Sequence, residues 1–181
     1  MRTVVRSLHQ AGEATLLVGA LALFAMMLHI TADVLAKLGW NSPIIGTLEI
    51  VTYIYMVACT FLPLAHVMLS RSMIIVEAFT TKLSQPAVLR LDSLVGLLTF
   101  AYFAMIAVMS GRHAIGKTVI GEVQDATYFE LPIWPMRWIL VISCALAAAV
   151  ALFNAYDDWR LLKTGRRFDA ANPLRSGENT V

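Results

Sequence analysis

The chain has 181 residues, of which 59% are hydrophobic and only 14% are charged, and its formal net charge is +2. A soluble domain carries roughly 25% charged residues, so this composition excludes an ordinary soluble protein and favours a membrane protein. The small net charge gives no reason to expect a nucleic-acid partner. The two cysteines, Cys59 and Cys144, provide neither a disulfide framework nor the spacing of a metal site.

Four long windows contain no Asp, Glu, Lys or Arg, and they are residues 14–32, 50–70, 93–111 and 138–156. A helix needs about 20 residues at ~1.5 Å each to cross a hydrocarbon core of ~30 Å, so each window is long enough for one crossing. Helices are favoured over barrel strands because the windows are uniformly apolar and do not alternate. The predicted fold class is an all-α membrane protein with four transmembrane helices.

The predicted organisation is one transmembrane domain, residues 1–163, followed by a polar tail, residues 164–181, whose composition is typical of disorder. The four predicted spans are about residues 14–34, 48–70, 90–111 and 135–157. The first apolar run continues to Ile30, well past the ~7–15 apolar residues of a secretory signal. It is therefore predicted to be an uncleaved first helix.

The second helix begins with "SPIIGTLEIV", in which Glu49 places a carboxylate at the mouth of an apolar run. A charge near the interface costs far less than the ~2.5–3.5 kcal/mol of one at mid-bilayer. Glu49 is therefore interpreted as an anchor or an ion-pair partner, with a substrate or proton role as the alternative. Arg137, at the outer start of the fourth helix, is one candidate partner, and a residue of another chain is the other. Pro63 predicts a kink within this second helix.

The link after the second helix, "RSMIIVEAFTTKLSQPAVLR", has Ile75, Phe79 and Leu83 at helical spacing. This pattern predicts either a short helix on the inner membrane surface or an extension of the second helix into the cytoplasm. Proline is tolerated in the first turn of a helix, so the third helix is predicted to begin near Pro86.

The link between the third and fourth helices, "RHAIGKTVIGEVQDATYFELPIWPMR", contains nearly equal numbers of positive and negative charges. Pro132 and Pro135 suit the entry into the fourth helix. Tryptophan favours the membrane–water interface, and Trp40 and Trp134 lie at the predicted outer boundary.

The distribution of Lys and Arg predicts the orientation in the membrane. Ten of the fourteen lie in the N-terminal tail, the link between helices two and three, and the C-terminal tail. Basic segments are retained in the cytoplasm, so both termini are predicted to be cytoplasmic.

No ionisable side chain is predicted at mid-membrane, and the chain has no nucleophile–base pair, phosphate loop or metal cluster. These features predict a subunit that is not an enzyme and holds no cofactor. The rival hypothesis is a haem-bearing anchor of an electron-transfer complex, because His29 and His113 share the outer level and could serve as axial ligands.

Residues 42–79 resemble the small permease subunit of tripartite ATP-independent periplasmic (TRAP) transporters. The similar stretches are "SPIIGTLEIV", "FLPLAHVMLSRS" and "MIIVEAF", and a second block, "GEVQDATYFELPIWPMRWIL", resembles the outer link of that family. The chain length, the four spans and the predicted cytoplasmic termini fit the same family.

The resemblance implies a bacterial inner-membrane protein that pairs with a larger permease subunit, which holds the substrate and sodium sites. A soluble periplasmic protein then delivers the substrate, an organic acid such as a C4-dicarboxylate, another carboxylate or a sulfonate, for sodium-coupled symport. The small subunit is expected to brace the large one and to help dock the periplasmic protein.

Two sets of site residues follow, none of them catalytic. The candidates for assembly with the large subunit are Gly46, Glu49, Arg71, Glu77 and Arg137. The candidates for periplasmic docking, on the outer surfaces 36–48 and 112–136, are Trp40, Glu122, Pro132 and Trp134.

Overall fold

Helices dominate the structure, a computed structural model that describes residues 2–70, 85–126 and 129–164. The helices are α1 (Arg2–Trp40), α2 (Thr47–Ile50), α3 (Met56–Phe61), α4 (Leu64–Leu69), α5 (Gln85–Val119) and α6 (Trp134–Thr164). A π-helical turn, Val51–Tyr55, connects α2 to α3. Between α5 and α6, strands β1 (Val123–Ala126) and β2 (Phe129–Pro132) form an antiparallel hairpin. The predicted interfacial helix, and residues 165–181 of the polar tail, lie outside the described residues.

Four helical stretches of the described chain are long and apolar enough to cross a membrane: Ser7–Trp40, Thr47–Leu69, Pro86–Val119 and Trp134–Lys163. This finding confirms that the four charge-free windows lie in four helices of the length and composition needed to cross a membrane. The first and third stretches have 34 residues each, so each is about 51 Å long, more than the ~30 Å of the hydrocarbon core. The helices are longer than the charge-free windows because backbone hydrogen bonding continues after the apolar run ends.

Thr47–Leu69, called span 2 below, consists of α2, the π-helical turn, α3 and α4. It is interrupted at Leu62 and Pro63, where proline has no N–H to continue the helical ladder. The helix restarts because the N–H of Val67 donates to the Pro63 carbonyl at 3.1 Å. The interruption lies at the proline for which the sequence predicts a kink, and both Leu62 and Pro63 keep right-handed helical backbone angles.

The interior of the molecule lies between α6 and α4. Ala147 and Val150 of α6 pack against Ala65, Met68 and Leu69 of α4, and all five are buried. About 39% of the apolar window of α6 is buried, compared with none of the corresponding window of α5. α6 is therefore the central helix of the described fold.

α5 packs along α6 through small residues. A Cβ atom placed on Gly96 would lie only 2.9 Å from Cβ of Ala155, so the two helices approach closely here. In the same region the Ser93 hydroxyl donates to the Ala155 carbonyl at 3.2 Å. Further along α5, Ala114 is completely buried.

α1 packs along span 2, again through glycines. Gly12 faces Leu69, and Gly19 faces the ring of Pro63. Within the described chain, α1 packs extensively on span 2 alone and α5 packs extensively on α6 alone. The helices thus form an open row, in the order α5, α6, span 2, α1.

Candidate functional site

An ion cluster joins the end of α5 to the start of α6, at the edge of the molecule that the Lys and Arg distribution predicts to be periplasmic and that is called the outer edge below. Arg137 donates from Nε and Nη2 to the two carboxylate oxygens of Glu122, at 2.5 and 2.9 Å. Nζ of Lys117 lies 3.0 Å from Oε1 of the same carboxylate. The hydrogen bonds from Arg137 and then from Lys117 lower the pKa of Glu122 from 4.5 to about 2.

The chain brings Glu122 to this position by a tight turn after α5. Gly121 has a φ of +63°, which glycine adopts without steric cost, and the N–H of Glu122 donates to the Lys117 carbonyl at 3.0 Å. The N–H of Ile133 donates to the Glu122 carbonyl at 3.2 Å and closes the base of the hairpin. Glu122 is therefore fixed by its backbone as well as by its side chain.

The link between α1 and α2 is held by one side chain from each of these two helices. Oδ1 of Asp33 accepts the N–H of Ile44 at 2.6 Å, and the Thr47 hydroxyl donates to the Ile44 carbonyl at 3.0 Å. The ring of His29 lies 3.5 Å from the Thr47 hydroxyl and makes an edge contact with Tyr55.

The two outer links meet at Gly46. Its φ of +82° requires the left-handed region, and a Cβ atom there would lie only 2.5 Å from the ring of Phe129 in β2. Glycine is thus favoured at this position for two reasons: it adopts the left-handed backbone conformation without steric cost, and it leaves space for the aromatic ring. The contact joins the α1–α2 link to the hairpin as one outer surface.

Glu49, the predicted assembly residue, is partly exposed at the outer start of span 2. The structure assigns Arg137 to Glu122, so Arg137 is not the partner of Glu49 that the sequence allowed. Glu49 makes no hydrogen bond or ion pair with any described residue. A residue of another chain, the second candidate partner that the sequence offered, stays a prediction for this carboxylate.

A groove of about 270 Å³ separates span 2 from the outer half of α6. Its span 2 wall is Tyr53, Val57 and Phe61, and its α6 wall includes Met136 and Leu140. Arg137 also lines this groove. The groove is therefore apolar, with one charged residue in its lining.

The other predicted residues are spread over the outer surface. Trp40 is 82% exposed at the end of α1, Pro132 is exposed at the end of β2, and Trp134 is partly buried at the start of α6. Arg71 and Glu77 lie outside the described residues. The structure thus leaves Trp40 and Pro132 accessible to a partner.

The structure does not bring together the histidines of the haem hypothesis. His29 contacts Tyr55 and Thr47 where α1 meets span 2, whereas His113 is exposed on α5 at the other edge of the row. Among the described residues there is also no group of three or more His, Cys, Asp or Glu side chains that could hold a metal ion. No observation favours the haem-bearing anchor.

Two buried acidic residues at the other end of α6 were not predicted from the sequence. Asp157 and Asp158 are 0% and 3% exposed, although they follow directly after the fourth charge-free window. Nearby, the Asn154 side chain donates to the Met68 carbonyl at 3.0 Å. The sequence does contain a signal for these residues, because they form an adjacent acidic pair in a C-terminal segment whose other charged residues are mainly Arg and Lys.

Comparison with known proteins identifies a family to which the chain is similar. Residues 26–161, well over half of the chain, match the family model described as Tripartite ATP-independent periplasmic transporters, DctQ component. No curated protein and no solved structure matches the chain.

Proposed function

Because the chain belongs to the DctQ component family of tripartite ATP-independent periplasmic transporters, we propose that it braces the large permease subunit and helps dock the periplasmic substrate-binding protein. The substrate would be an organic acid, a C4-dicarboxylate or another carboxylate or sulfonate. Sodium-coupled symport would then take place in the large subunit, which would hold the sodium and substrate sites.

The observation that carries the bracing role is the placement of charge along the four spans. Intramembrane ionisable residues mark ion and substrate pathways, whereas the Asp, Glu, Lys and Arg residues of the four spans lie towards the ends, outside the windows 14–32, 50–70, 93–111 and 138–156. The charged cluster of Glu122, Lys117 and Arg137 instead joins two helices at the outer edge. This distribution suits a scaffold, not a conduit.

The docking role is supported by the way the outer links are joined. The Phe129–Gly46 contact and the Glu122 cluster together tie α1, the hairpin, α5 and α6 at one edge. A preordered surface loses less entropy on binding than a flexible one. The surface that carries exposed Trp40 and Pro132 is therefore suited to a soluble partner. We place it in the periplasm, with both termini in the cytoplasm and the protein in the bacterial inner membrane.

Co-purification and reconstitution test this function. The chain, expressed with its large permease subunit, is expected to co-purify with it through a tag on either protein. Vesicles that contain the chain alone are expected to show no uptake of organic acids, whereas vesicles with both subunits take them up when the loaded binding protein is added. Solute-specific flux through the chain alone would disprove the bracing role.

A further inference from the structure

One face of span 2 carries three polar side chains, two of which, Glu49 and Thr52, have no side-chain hydrogen bond or ion pair with a described residue. This face, called the Glu49 face, consists of Leu48, Glu49, Thr52, Met56 and Thr60, which recur at the three- and four-residue spacing of a helix stripe. Leu48 is 76% exposed and Met56 is 50% exposed, and both threonines are exposed. The face therefore points away from the other described helices.

The hydroxyl groups on this face differ from those of threonines on α1 and α5. Thr31 of α1 and Thr99 of α5 each donate to the carbonyl four residues before, at 2.8 Å. The Thr52 hydroxyl makes no hydrogen bond with any described residue, and the Thr60 hydroxyl lies 4.0 Å from Sγ of Cys59. Two hydroxyls on one stripe thus lack the local bond that suits a threonine to lipid.

The backbone under this face is also irregular. Thr52 lies in the π-helical turn, where the N–H of Met56 donates to the Val51 carbonyl five residues before. Such turns are uncommon within α-helices and frequently occur at functional sites. The Glu49 carboxylate lies one turn away, at the outer end of the same stripe, with no ion-pair partner among the described residues.

The groove between span 2 and α6 adjoins this face. Tyr53 and Val57 of its span 2 wall lie three residues before Met56 and Thr60 of the Glu49 face, and side chains three residues apart are neighbours on a helix. A volume of about 270 Å³ is enough for apolar side chains of a helix that lies along the Glu49 face. The Glu49 face and the groove together provide polar groups next to an apolar surface against which a partner helix can pack.

We propose that the Glu49 face binds a transmembrane helix of the large permease subunit that carries a Lys or Arg at its outer end. The basic residue pairs with Glu49, and polar groups of the same helix bond Thr52 and Thr60, since polar side chains hold helices together in lipid. This inference rests on the proposed function, which names the large subunit, and adds the surface that meets it.

The rival face is that of α5, which exposes the Tyr102 ring and, at its outer end, Arg112. The Arg112 side chain is long enough to reach water from a lipid-facing helix, and a tyrosine ring is amphipathic. Glu49 has a shorter side chain, and the threonine hydroxyls cannot reach water from within the span. Lipid therefore suits the α5 face better than it suits the Glu49 face.

Photo-crosslinking locates the contact. A benzoylphenylalanine side chain is introduced at Met56, and the matched controls are Phe24 on α1 and Met105 on α5, which are 58% and 55% exposed at similar depths. The complex with the large subunit is expected to yield an adduct of both chains from Met56 and not from the controls. Three outcomes would overturn the proposal. The first is an adduct of both chains from a control position alone, and the second is an adduct with lipid alone from position 56. The third is no adduct from position 56 although the subunits co-purify.

Substitution of Glu49 tests the ion pair. Glu49→Gln is expected to lower the amount of large subunit recovered with the chain by at least about tenfold, because it leaves the partner's cation unpaired. Glu49→Asp, which keeps the charge, and Glu13→Gln, an exposed acid near the start of α1, should recover wild-type amounts. Unchanged recovery for Glu49→Gln would refute the pair. If the large subunit fails to co-purify even with the wild-type chain, the proposed function itself is wrong.

Discussion

Glu122 is the residue through which three parts of the outer edge meet. Its carboxylate accepts hydrogen bonds from Arg137 at the start of α6 and is paired with Lys117 near the end of α5. Its own backbone closes the base of the hairpin through Ile133. Its side chain is 17% exposed, so solvent screening of the pairs is reduced but not removed.

Replacement of Glu122 by Gln is expected to lower the thermal unfolding midpoint at pH 7 by a few degrees. The pKa of Glu122 is lowered from 4.5 to about 2, so its charged form contributes stability that is fully present above pH 4.5. That contribution is lost as the pH falls from 4.5 towards 2, and the difference between variant and wild type should shrink over the same range. Circular dichroism of the purified chain in detergent at pH 7, 5, 4 and 3 measures both effects.

The matched control is Glu130→Gln in the same hairpin. Glu130 is exposed and lies directly opposite Asp125 in the antiparallel register, so its removal relieves a like-charge contact. The midpoint should stay the same or rise slightly at pH 7. A loss of stability in Glu122→Gln that does not depend on pH would contradict the ion-pair account.

The partner of Arg137 shows how far single residues could be assigned from the sequence. Glu49 is an acid and Arg137 is a base, and each lies at the outer start of a predicted helix. Because both lie at the same predicted depth in the membrane, the sequence allowed an ion pair between them. The sequence did not show that the turn at Gly121 would carry Glu122 back to Arg137. Charge and depth predict which residues are near an interface, but only the backbone path decides which of them meet.

At the scale of elements, the four spans follow from composition and the hairpin does not. A lack of charge over about 20 residues is a strong signal because few structures other than membrane helices tolerate it. Strands of four residues, "VQDA" and "FELP", mix polar and apolar side chains over too short a length to show a period. The ends of α1 and α5 were also not predictable from the windows, since hydrogen bonding continues beyond the lipid.

The contact between α1 and span 2 depends on a glycine opposite a proline. A Cβ atom on Gly19 would lie 2.9 Å from Cγ of Pro63 and 3.0 Å from its Cδ. The Pro63 ring is rigid, so it cannot move aside as the end of a flexible side chain would. The proline that interrupts span 2 thus also shapes the surface on which α1 lies.

Substitution Gly19→Ala is expected to destabilise the chain by about 1–3 kcal/mol, the usual cost of overpacking a well-packed contact. In a Pro63→Ala background the same substitution should cost less, because alanine lacks the Cγ and Cδ atoms that the new methyl group meets. Thermal or denaturant unfolding of the wild type, the two single variants and the double variant forms a double-mutant cycle that measures the coupling free energy between positions 19 and 63.

Gly39→Ala serves as the control, because it lies in the same helix and a Cβ atom there meets nothing within 4 Å. It should be neutral or slightly stabilising, since alanine favours a helix more than glycine does. Equal costs for Gly19→Ala in both backgrounds would show that α1 does not rest on the Pro63 ring.

At the scale of the whole molecule, the described helices form an open row in which α6 and span 2 each have a neighbouring helix on both sides, whereas α1 and α5 lie at the two edges. The window of α5 has no buried residues, and that of α1 has 6%. Such a row has broad exposed faces, of which lipid covers some and partner subunits can cover others. Its outer edge is held by the Glu122 cluster and the Gly46–Phe129 contact, so the row presents a fixed surface to the aqueous side.

Trp40→Ala is expected to weaken binding of the periplasmic substrate-binding protein to the membrane complex by about tenfold or more, because exposed tryptophans are frequent interface hot spots. Binding of the purified, labelled protein to the complex in nanodiscs measures this loss, and assembly of the two membrane subunits should be unchanged. Trp159→Ala is the control, since Trp159 is 47% exposed near the end of α6, where it contacts Tyr156 and Lys163. A loss of binding in Trp159→Ala and not in Trp40→Ala would reverse the orientation proposed here, because each side chain can meet a periplasmic protein only if its own edge faces the periplasm.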